Sequence, residues 1–394
     1  MSGDGPLIFI IAGEPSGDVL GGRLMAALKQ RTQGAVRFAG IGGERMAGEG
    51  LDSLLPMREL SVMGYLEVVP KIPRILGHIR TASEAARRLR PAAVVTIDSP
   101  DFSLRVQRRL ADAGIAQIHY VAPQVWAHRP ERAAQIARYL DHLLAILPFE
   151  PPYFEAVGLP CSFVGHGVIE EGADQGDGPA FRMRHGIPTE APVVCILPGS
   201  RLGEVTHHLP VFGDTIALLA ERVPGLRVVV PAFTSVEAEV ATAAADWQAP
   251  TTVVNGKNEK YDAFAASNAA LAVSGTVALE LAIAGVPMAI AYRGNPLTIW
   301  LAKRMASLSY ICLVNLVLDR PVVPEFIQQA CRADTLADEM VRLLTDDQAS
   351  EEQRTQARRA AELIGLGGPA PSVRAAEIIL DVIAEDRAGS AKRR

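Results

Sequence analysis

The sequence predicts an α/β protein made of two doubly wound, Rossmann-like units, and three observations carry the prediction. Short, continuously apolar runs rich in Val and Ile recur along the chain, segments of helical periodicity separate them, and a polar, Gly- and Pro-rich interruption divides the series in two. A strand that alternates apolar and polar residues keeps one face wet, whereas a continuously apolar one is buried on both faces. Helical crossovers between such strands then imply a parallel sheet.

The runs before residue 150 are PLIFIIAG, VRFAGIGG, AAVVTIDSP, AQIHYVAP and HLLAILPF. The stretch EEGADQGDGPAFRMRHGIPTEAP has turn-forming composition and reads as a linker with a short helix. The alternation restarts with APVVCILPGS, GLRVVVPAF, APTTVVNG, AALAVSG and VPMAIAY. These limits place a first domain at 1–168, a linker at 169–190 and a second domain at 191–365, with a ligand-binding cleft expected between the domains. From 366 to 394 the pattern VRAAEIILDVIAE predicts a C-terminal helix over Pro371 to about Glu385, packing back on the first domain and followed by a frayed basic tail.

A 394-residue chain exceeds what one core usually organises, and 49% hydrophobic with 21% charged residues is the composition of a soluble, core-forming chain. Leu271 to Tyr292 is apolar enough to suggest a membrane span, but it contains Glu280, Gly285 and Pro287, so a buried helix followed by a buried strand fits better. Cys161, Cys195, Cys312 and Cys331 lack the close spacing of a metal site or redox dithiol and read as buried, reduced thiols. The N-terminus lacks the basic and cleavable parts of a signal peptide, so a cytoplasmic protein is expected. The net charge of −5 argues against nucleic acid as a partner. Residues 1–165 nevertheless carry 18 basic and 16 acidic residues, against 21 and 28 in the rest, so the two halves differ in sign, +2 and −7.

In open α/β sheets ligands bind beyond the carboxyl ends of strands, where helix N-termini offer unpaired N–H groups. The first such turn is AGEPSGD, in which Gly13 and Gly17 permit close backbone approach and Ser16 and Asp18 are helix-capping types. Neither turn nor cap needs a carboxylate at Glu14, which favours function for that residue. In TIDSPDF, Ser99, Pro100 and Asp101 fit the N-cap and first two helical positions, so Asp101 reads as structural. Asp98 has no such explanation, and a carboxylate at a strand end is suited to take a proton from a substrate hydroxyl. In HYVAPQVWAHRPERA, Gln124 and Trp126 suit a sugar or base platform, while His119 and His128 are each ordinarily satisfied structural groups.

In the second half, ILPGSR ends a strand with a small-residue turn. Gly199 and Ser200 can expose backbone donors, and Arg201 offers a planar fork to phosphate oxygens. In AVSGTVALELAIAG, Ser274, Gly275 and Thr276 open an apolar helix, with Glu280 one turn further on, placed to accept two hydrogen bonds from ribose hydroxyls. A charge there without a partner would be costly. The chain has no dinucleotide-binding glycine turn, no phosphate loop ending in Gly-Lys, no zinc-protease helix motif and no Asp-x-Asp metal-diphosphate pair, so no metal or cofactor is expected.

Residues 62–80, VMGYLEVVPKIPRILGHIR, place Ile72, Ile75, Leu76 and Ile79 on one helical face, and Lys71 to Arg109 holds nine basic against three acidic residues. Such a strip suits an anionic lipid surface; the more common fate of such a helix is to pack on its own sheet.

Taken together, AGEPSGD, MGYLEVV, IDSPDF, HYVAPQVWA, LPFE, FVGH, LPGSR, SGTVALE and VNLV, in family order over most of residues 7–330, resemble lipid-A-disaccharide synthases. The resemblance implies a GT-B fold and a metal-independent, inverting glycosyltransferase of lipid A and lipopolysaccharide biosynthesis. It would join UDP-2,3-diacylglucosamine to 2,3-diacylglucosamine 1-phosphate (lipid X) with a β-1,6 linkage, at the cytoplasmic face of the inner membrane. It also implies Asp98 as base, Glu14 and Ser16 near the reacting sugars, and Ser200, Arg201, Ser274, Gly275, Thr276, Glu280 and Asn315 around UDP, the role of Asn315 coming from the resemblance alone. Acceptor and acyl chains would meet Gln124, Trp126, Met63, Val68, Val69, Ile72, Ile75 and Leu76. The resemblance also implies that the chain can form a homodimer with exchanged C-terminal domains, and His128 stands where some members carry a second tryptophan. The residues by themselves leave open a UDP-sugar epimerase of the same fold and a noncatalytic lipid- or nucleotide-binding protein.

Overall fold

The computed structural model describes residues 5–60, 72–127, 130–294 and 309–392. The chain divides into two compact units, one of residues 1–167 with 369–394 and one of residues 168–368. In the first, the elements run β1 (Leu7–Ala12), α1 (Pro15–Arg31), β2 (Arg37–Ile41), α2 (Glu44–Gly48), α3 (Ile72–Leu89), β3 (Ala93–Ile97), α4 (Pro100–Arg109), β4 (Ala116–Tyr120), α5 (Glu131–Ile136), β5 (His142–Ala145), α6 (Pro151–Glu155) and β6 (Cys161–Phe163). All strand pairings are parallel, in the order β2-β1-β3-β4-β5-β6.

The second unit contains α7 (Gly178–Arg184), β7 (Val193–Leu197), α8 (Leu202–Arg222), β8 (Arg227–Ala232), α9 (Glu237–Ala244), β9 (Thr251–Asn255), α10 (Lys257–Ala265), β10 (Ala269–Val273), α11 (Val277–Ala284), β11 (Met288–Tyr292), α12 (Leu313–Leu318), β12 (Glu325–Ile327), α13 (Ala333–Thr345) and α14 (Asp347–Leu363). Its strands are also all parallel, in the order β12-β11-β10-β7-β8-β9. Helix α15 (Pro371–Lys392) belongs to the first unit.

Two-sided burial accounts for the continuous apolar runs. In β1, Ile8 and Ile10 pack with Leu24, Leu28, Ile379 and Ile383 on one face of the sheet, while Phe9 and Ile11 pack with Ile79, Ala82, Phe102 and Val106 on the other. Each such fully buried side chain contributes about 1.5–3 kcal/mol relative to an exposed one, so a polar residue in β1 would weaken one of two cores whichever way it pointed. The four cysteines are buried and unpaired.

Several details differ from the sequence reading. The residues expected to link the domains are part of the second unit. Asp177 caps α7 through Ala180 N, Asp177 N donates to Asp262 Oδ1 at 2.7 Å, and Arg182 donates to the carbonyls of Ala266, Pro188, Thr189 and Ala191. The C-terminal helix runs on to Lys392, beyond the expected end at Glu385. It is anchored in the first unit by Arg374 donating to Phe163 O at 2.9 Å and by Arg31 pairing with Glu377 at 2.5 Å. At the start of α1 the N-cap residue is Glu14, without a side-chain cap bond, and neither Ser16 nor Asp18 caps that helix. Asp18 instead reaches α2, where its buried carboxylate accepts from Gly43 N (2.7 Å), Arg45 N (2.9 Å) and Met46 N (3.1 Å). The capping residue therefore comes from a different helix than the sequence suggested.

Removing that carboxylate strands three N–H groups at the start of α2, so Asp18→Ala is expected to lower the unfolding free energy by about 2–3 kcal/mol. Urea titration measures it, and a loss below about 0.5 kcal/mol would mean that water replaces the carboxylate.

Candidate active site

In both units the polar turns singled out above lie at points where the strand order reverses. In the first unit β1 and β3 are neighbours whose connections leave in opposite directions, and Glu14 and Asp98 follow their carboxyl ends. In the second unit the reversal falls between β7 and β10, which are followed by Gly199–Arg201 and Ser274–Thr276. Such a switch point leaves a crevice, because the two connecting loops diverge.

Asp98 adopts φ +52° and Ser99 φ +43°, two successive non-glycine residues in the left-handed region. Each costs about 1–2 kcal/mol relative to ordinary backbone. The turn is held by Asp98 N donating to Tyr120 O at 2.9 Å, Ser103 Oγ to Asp98 O at 2.8 Å, and Ser99 N to Asp98 Oδ1 at 2.8 Å. Ser16 Oγ lies 3.5 Å from Asp98 Oδ2, the outer limit of a hydrogen bond, and Ser99 Oγ donates to Glu14 Oε1 at 3.2 Å. The structure thus brings Glu14, Ser16 and Asp98 into one cluster and adds Ser99, which the sequence reading took only as a helix cap. Gly13 is required by that closeness, since a Cβ there would lie 2.7 Å from Ser99 Oγ. Asp101 is the second residue of α4 and pairs at 3.5 Å with Arg132, in line with its structural reading.

His119 is fully buried in β4, with Nδ1 2.7 Å from Thr96 Oγ1, and burial pushes its pKa down to about 3. It is a neutral structural group. Trp126 is a correction: its indole is buried, stands edge-on to Phe149 at 5.1 Å and donates to Glu150 Oε1 at 3.2 Å, so it anchors its loop instead of offering an open platform. Gln124 is exposed. Glu150 also accepts from Ile146 N and Leu147 N, and burial pushes its carboxyl up to about 7 against those hydrogen bonds. His128 and Arg129 lie outside the described residues, as do Met63, Val68 and Val69.

The apolar face predicted for α3 is divided by the fold. Ile79 is buried in the core beneath the helix and Ile75, partly buried, packs against it, whereas Leu76 is 43% exposed. Ile72 begins the helix. Among the described residues no helix is long and apolar enough to cross a membrane, and no cluster of metal-ligating residues occurs.

In the second unit Arg201 is the N-cap of α8, its side chain 68% exposed and 3.1 Å from Glu204, whose other oxygen accepts from Ser200 N at 3.2 Å. The turn is closed without a ligand, and the guanidinium remains at the surface. Ser274 Oγ donates to Ile311 O at 2.8 Å, while Gly275 and Thr276 are exposed. A Cβ at Gly275 would meet no atom within 4 Å, so packing does not require glycine there. The bare backbone at a helix N-terminus leaves room for an anion.

Two residues behave differently from expectation. Glu280 is not a lone charge: Lys260 Nζ lies 2.5 Å from its Oε2, so one of the two oxygens offered to ribose is occupied. Asn315 is fully buried and uses its whole amide internally, donating to Val323 O (2.7 Å) and Glu325 Oε1 (2.8 Å) and accepting from Val322 N (2.9 Å) and Val323 N (2.8 Å). Glu325 also accepts from Ile311 N and Cys312 N. Asn315 therefore shapes the loop that receives Ser274 and has no group left for a direct contact. Lys260 and Glu325 were missed by sequence reading because nothing local marks them.

Two units, each built on an all-parallel six-stranded sheet with polar turns at its switch point, give the chain the α/β architecture of the GT-B fold. The fold is similar to a UDP-N-acetylglucosamine 2-epimerase assigned in Listeria monocytogenes, at TM-score 0.64 and 12% identity over 96% of each chain. It is equally similar to the glycosyltransferase of kitacinnamycin, at TM-score 0.64 and 16% identity over 96% of this chain and 99% of the other. Residues 8–377 match the family described as lipid-A-disaccharide synthetase. A lipid-A-disaccharide synthase of Rhodospirillum centenum is 55% identical over 96% of this chain and 94% of its own. The chain belongs to the lipid-A-disaccharide synthase family, whose members are glycosyltransferases.

Two outcomes follow. Gly275→Val should leave the fold intact and weaken UDP binding by about tenfold or more by filling the anion position; calorimetric titration with unchanged affinity would remove Gly275 from the site. Glu150 has a folded pKa above its unfolded one, so its contribution is complete below the unfolded pKa and is lost as pH rises through about 7. The wild-type melting temperature should therefore fall between about pH 4.5 and about pH 7.5 by more than that of Glu150→Gln, and parallel profiles would contradict this.

Proposed function

We propose that this chain transfers a diacylglucosamine from UDP-2,3-diacylglucosamine to the 6-hydroxyl of 2,3-diacylglucosamine 1-phosphate, giving a β-1,6-linked disaccharide 1-phosphate and UDP. Family membership supports the reaction, and the observation that carries the residue assignment is Asp98, a half-buried carboxylate held by backbone strain at the first unit's switch point.

In this reading Asp98 takes the proton from the acceptor hydroxyl as its oxygen attacks the anomeric carbon, and the bond to the UDP oxygen breaks on the opposite face. Ser99 N–H and Ser16 keep the carboxylate aimed, and Ser99 also ties Glu14 to the cluster, where Glu14 bonds sugar hydroxyls. The departing diphosphate gains negative charge. Exposed N–H groups at the start of α11 and the Arg201 guanidinium answer that charge, with Ser200 and Thr276 as further donors. Glu280 holds the ribose. Asn315 acts through the 311–325 loop instead of touching UDP.

The acyl chains call for apolar contact, for which Leu76 is exposed, and Arg74, Arg80, Arg87 and Arg88 on α3 suit an anionic surface. The enzyme accordingly works as a peripheral protein at the cytoplasmic face of the inner membrane, as a homodimer in the manner of the family it resembles.

Product mass spectrometry tests the reaction: disaccharide 1-phosphate should form only when both lipid monosaccharides are present, and turnover of the UDP-sugar alone would favour epimerisation. Asp98→Asn keeps a residue type that tolerates left-handed backbone while removing the base. It should lower transfer by about 10²–10⁴-fold with UDP affinity unchanged, and full activity in that variant would exclude Asp98 as the base.

A further inference from the structure

The geometry points to Lys260 as a specificity residue that reads the nucleotide ribose jointly with Glu280, an inference that rests on the nucleotide reading above. Lys260 lies on α10 and Glu280 on α11, and their side chains are only 21% and 12% exposed. The ammonium sits 5.4 Å from the ring centre of Tyr261, 5.7 Å from that of Phe264 and 6.0 Å from that of Phe233. Ring faces on several sides and a carboxylate at hydrogen-bond distance hold this charge in one place.

The pair is not self-sufficient. Glu280 Oε2 is paired with Lys260, while Oε1 has no hydrogen-bond partner among the described residues, and an ammonium paired with one carboxylate oxygen retains further N–H groups to donate. An open acceptor and open donors therefore stand side by side, one helical turn below the exposed Gly275 and Thr276. That arrangement matches a vicinal diol: one ribose hydroxyl donates to Oε1 and its neighbour accepts from Nζ. A carboxylate alone would accept from both hydroxyls and tolerate loss of one. The pair requires both, because removing either hydroxyl leaves one hydrogen-bonding position of the ion pair desolvated and unsatisfied. Phe233, 53% exposed directly after β8, has the flat apolar face that keeps water from the ammonium once a ligand is bound.

Calorimetric titration of the full-length protein with UDP, 2′-deoxy-UDP and 3′-deoxy-UDP tests this. Wild type should bind each deoxy nucleotide about tenfold or more weakly than UDP. Lys260→Met should weaken UDP by about tenfold and discriminate between UDP and 3′- or 2′-deoxy-UDP by less than about threefold. Lys260→Arg, which keeps the charge, should recover part of the discrimination. A folded Lys260→Met protein that discriminates as wild type does would reduce Lys260 to a structural partner of Glu280 and overturn the inference. The wild-type titrations decide even if that variant fails to fold, since equal binding of all three nucleotides is incompatible with a diol-reading pair. A wild-type protein that binds no UDP would overturn the nucleotide reading itself, a different result from loss of discrimination.

Discussion

In a parallel sheet every strand ends on the same edge, and every following helix begins there with N–H groups that have no partner inside the helix. This polarity is the constraint on which the rest of the structure depends. It collects the termini of β1, β3 and β4 on one edge of the first unit and those of β7, β8 and β10 on one edge of the second. Residues as distant in sequence as Glu14 and Ser99 become hydrogen-bond partners for that reason, as do Ser274 and Ile311. At β1/β3 and at β7/β10 the connections diverge to either side, the position at which ligands bind in open α/β sheets.

Charges along those edges fall into two groups according to how completely the chain answers them. Asp18 accepts three backbone N–H groups, Glu325 three donors, and Glu204 the turn that precedes its own helix. Such carboxylates build the fold, and their chemistry is used up. Asp98 and Glu280 are aimed but incompletely answered, Asp98 by one short backbone bond and a distant serine, Glu280 by a single lysine. A buried or half-buried carboxylate with residual acceptor capacity is costly to maintain, which separates these two from their neighbours more sharply than residue type does.

Much of the architecture was legible in the sequence because two-sided burial imposes continuous apolar runs. Ile8 to Ile11 supply both cores of the first unit, and such a segment admits few other readings. The positions of Asp98 and Ser274–Thr276 were legible for a related reason, since polar residues directly after such runs stand at strand ends. What escaped was partnership. Asp18 has the composition of a cap for its own helix, yet α2 lies close enough to claim it. Trp126 has the side chain of a sugar platform, but its partner Glu150 stands 24 residues later. The periodicity of α3 identifies an apolar face without saying how far the sheet covers it, so Ile79 proved to be core, Ile75 partly buried against it and Leu76 surface. Asn315 bonds only within its own loop, whose course no local pattern announces.

The backbone at the end of β3 shows why an aspartate stands there. Two successive left-handed residues would ordinarily call for glycine, and glycine would carry no carboxylate. Aspartate is among the few side chains that enter this region at modest cost, because its own oxygen can bond the next peptide, as Asp98 Oδ1 does with Ser99 N. The same contortion turns the Ser99 hydroxyl away from capping α4 and towards Glu14, so the helix gives up a side-chain cap and a second carboxylate is fixed beside the first. At the neighbouring strand end Val121 also has positive φ, at +77°, a conformation that a β-branched residue enters only under constraint from its surroundings. Strained backbone thus stands directly after both β3 and β4. It persists because the buried sheet below holds those strand ends in register, and it sets the direction of the Asp98 carboxylate.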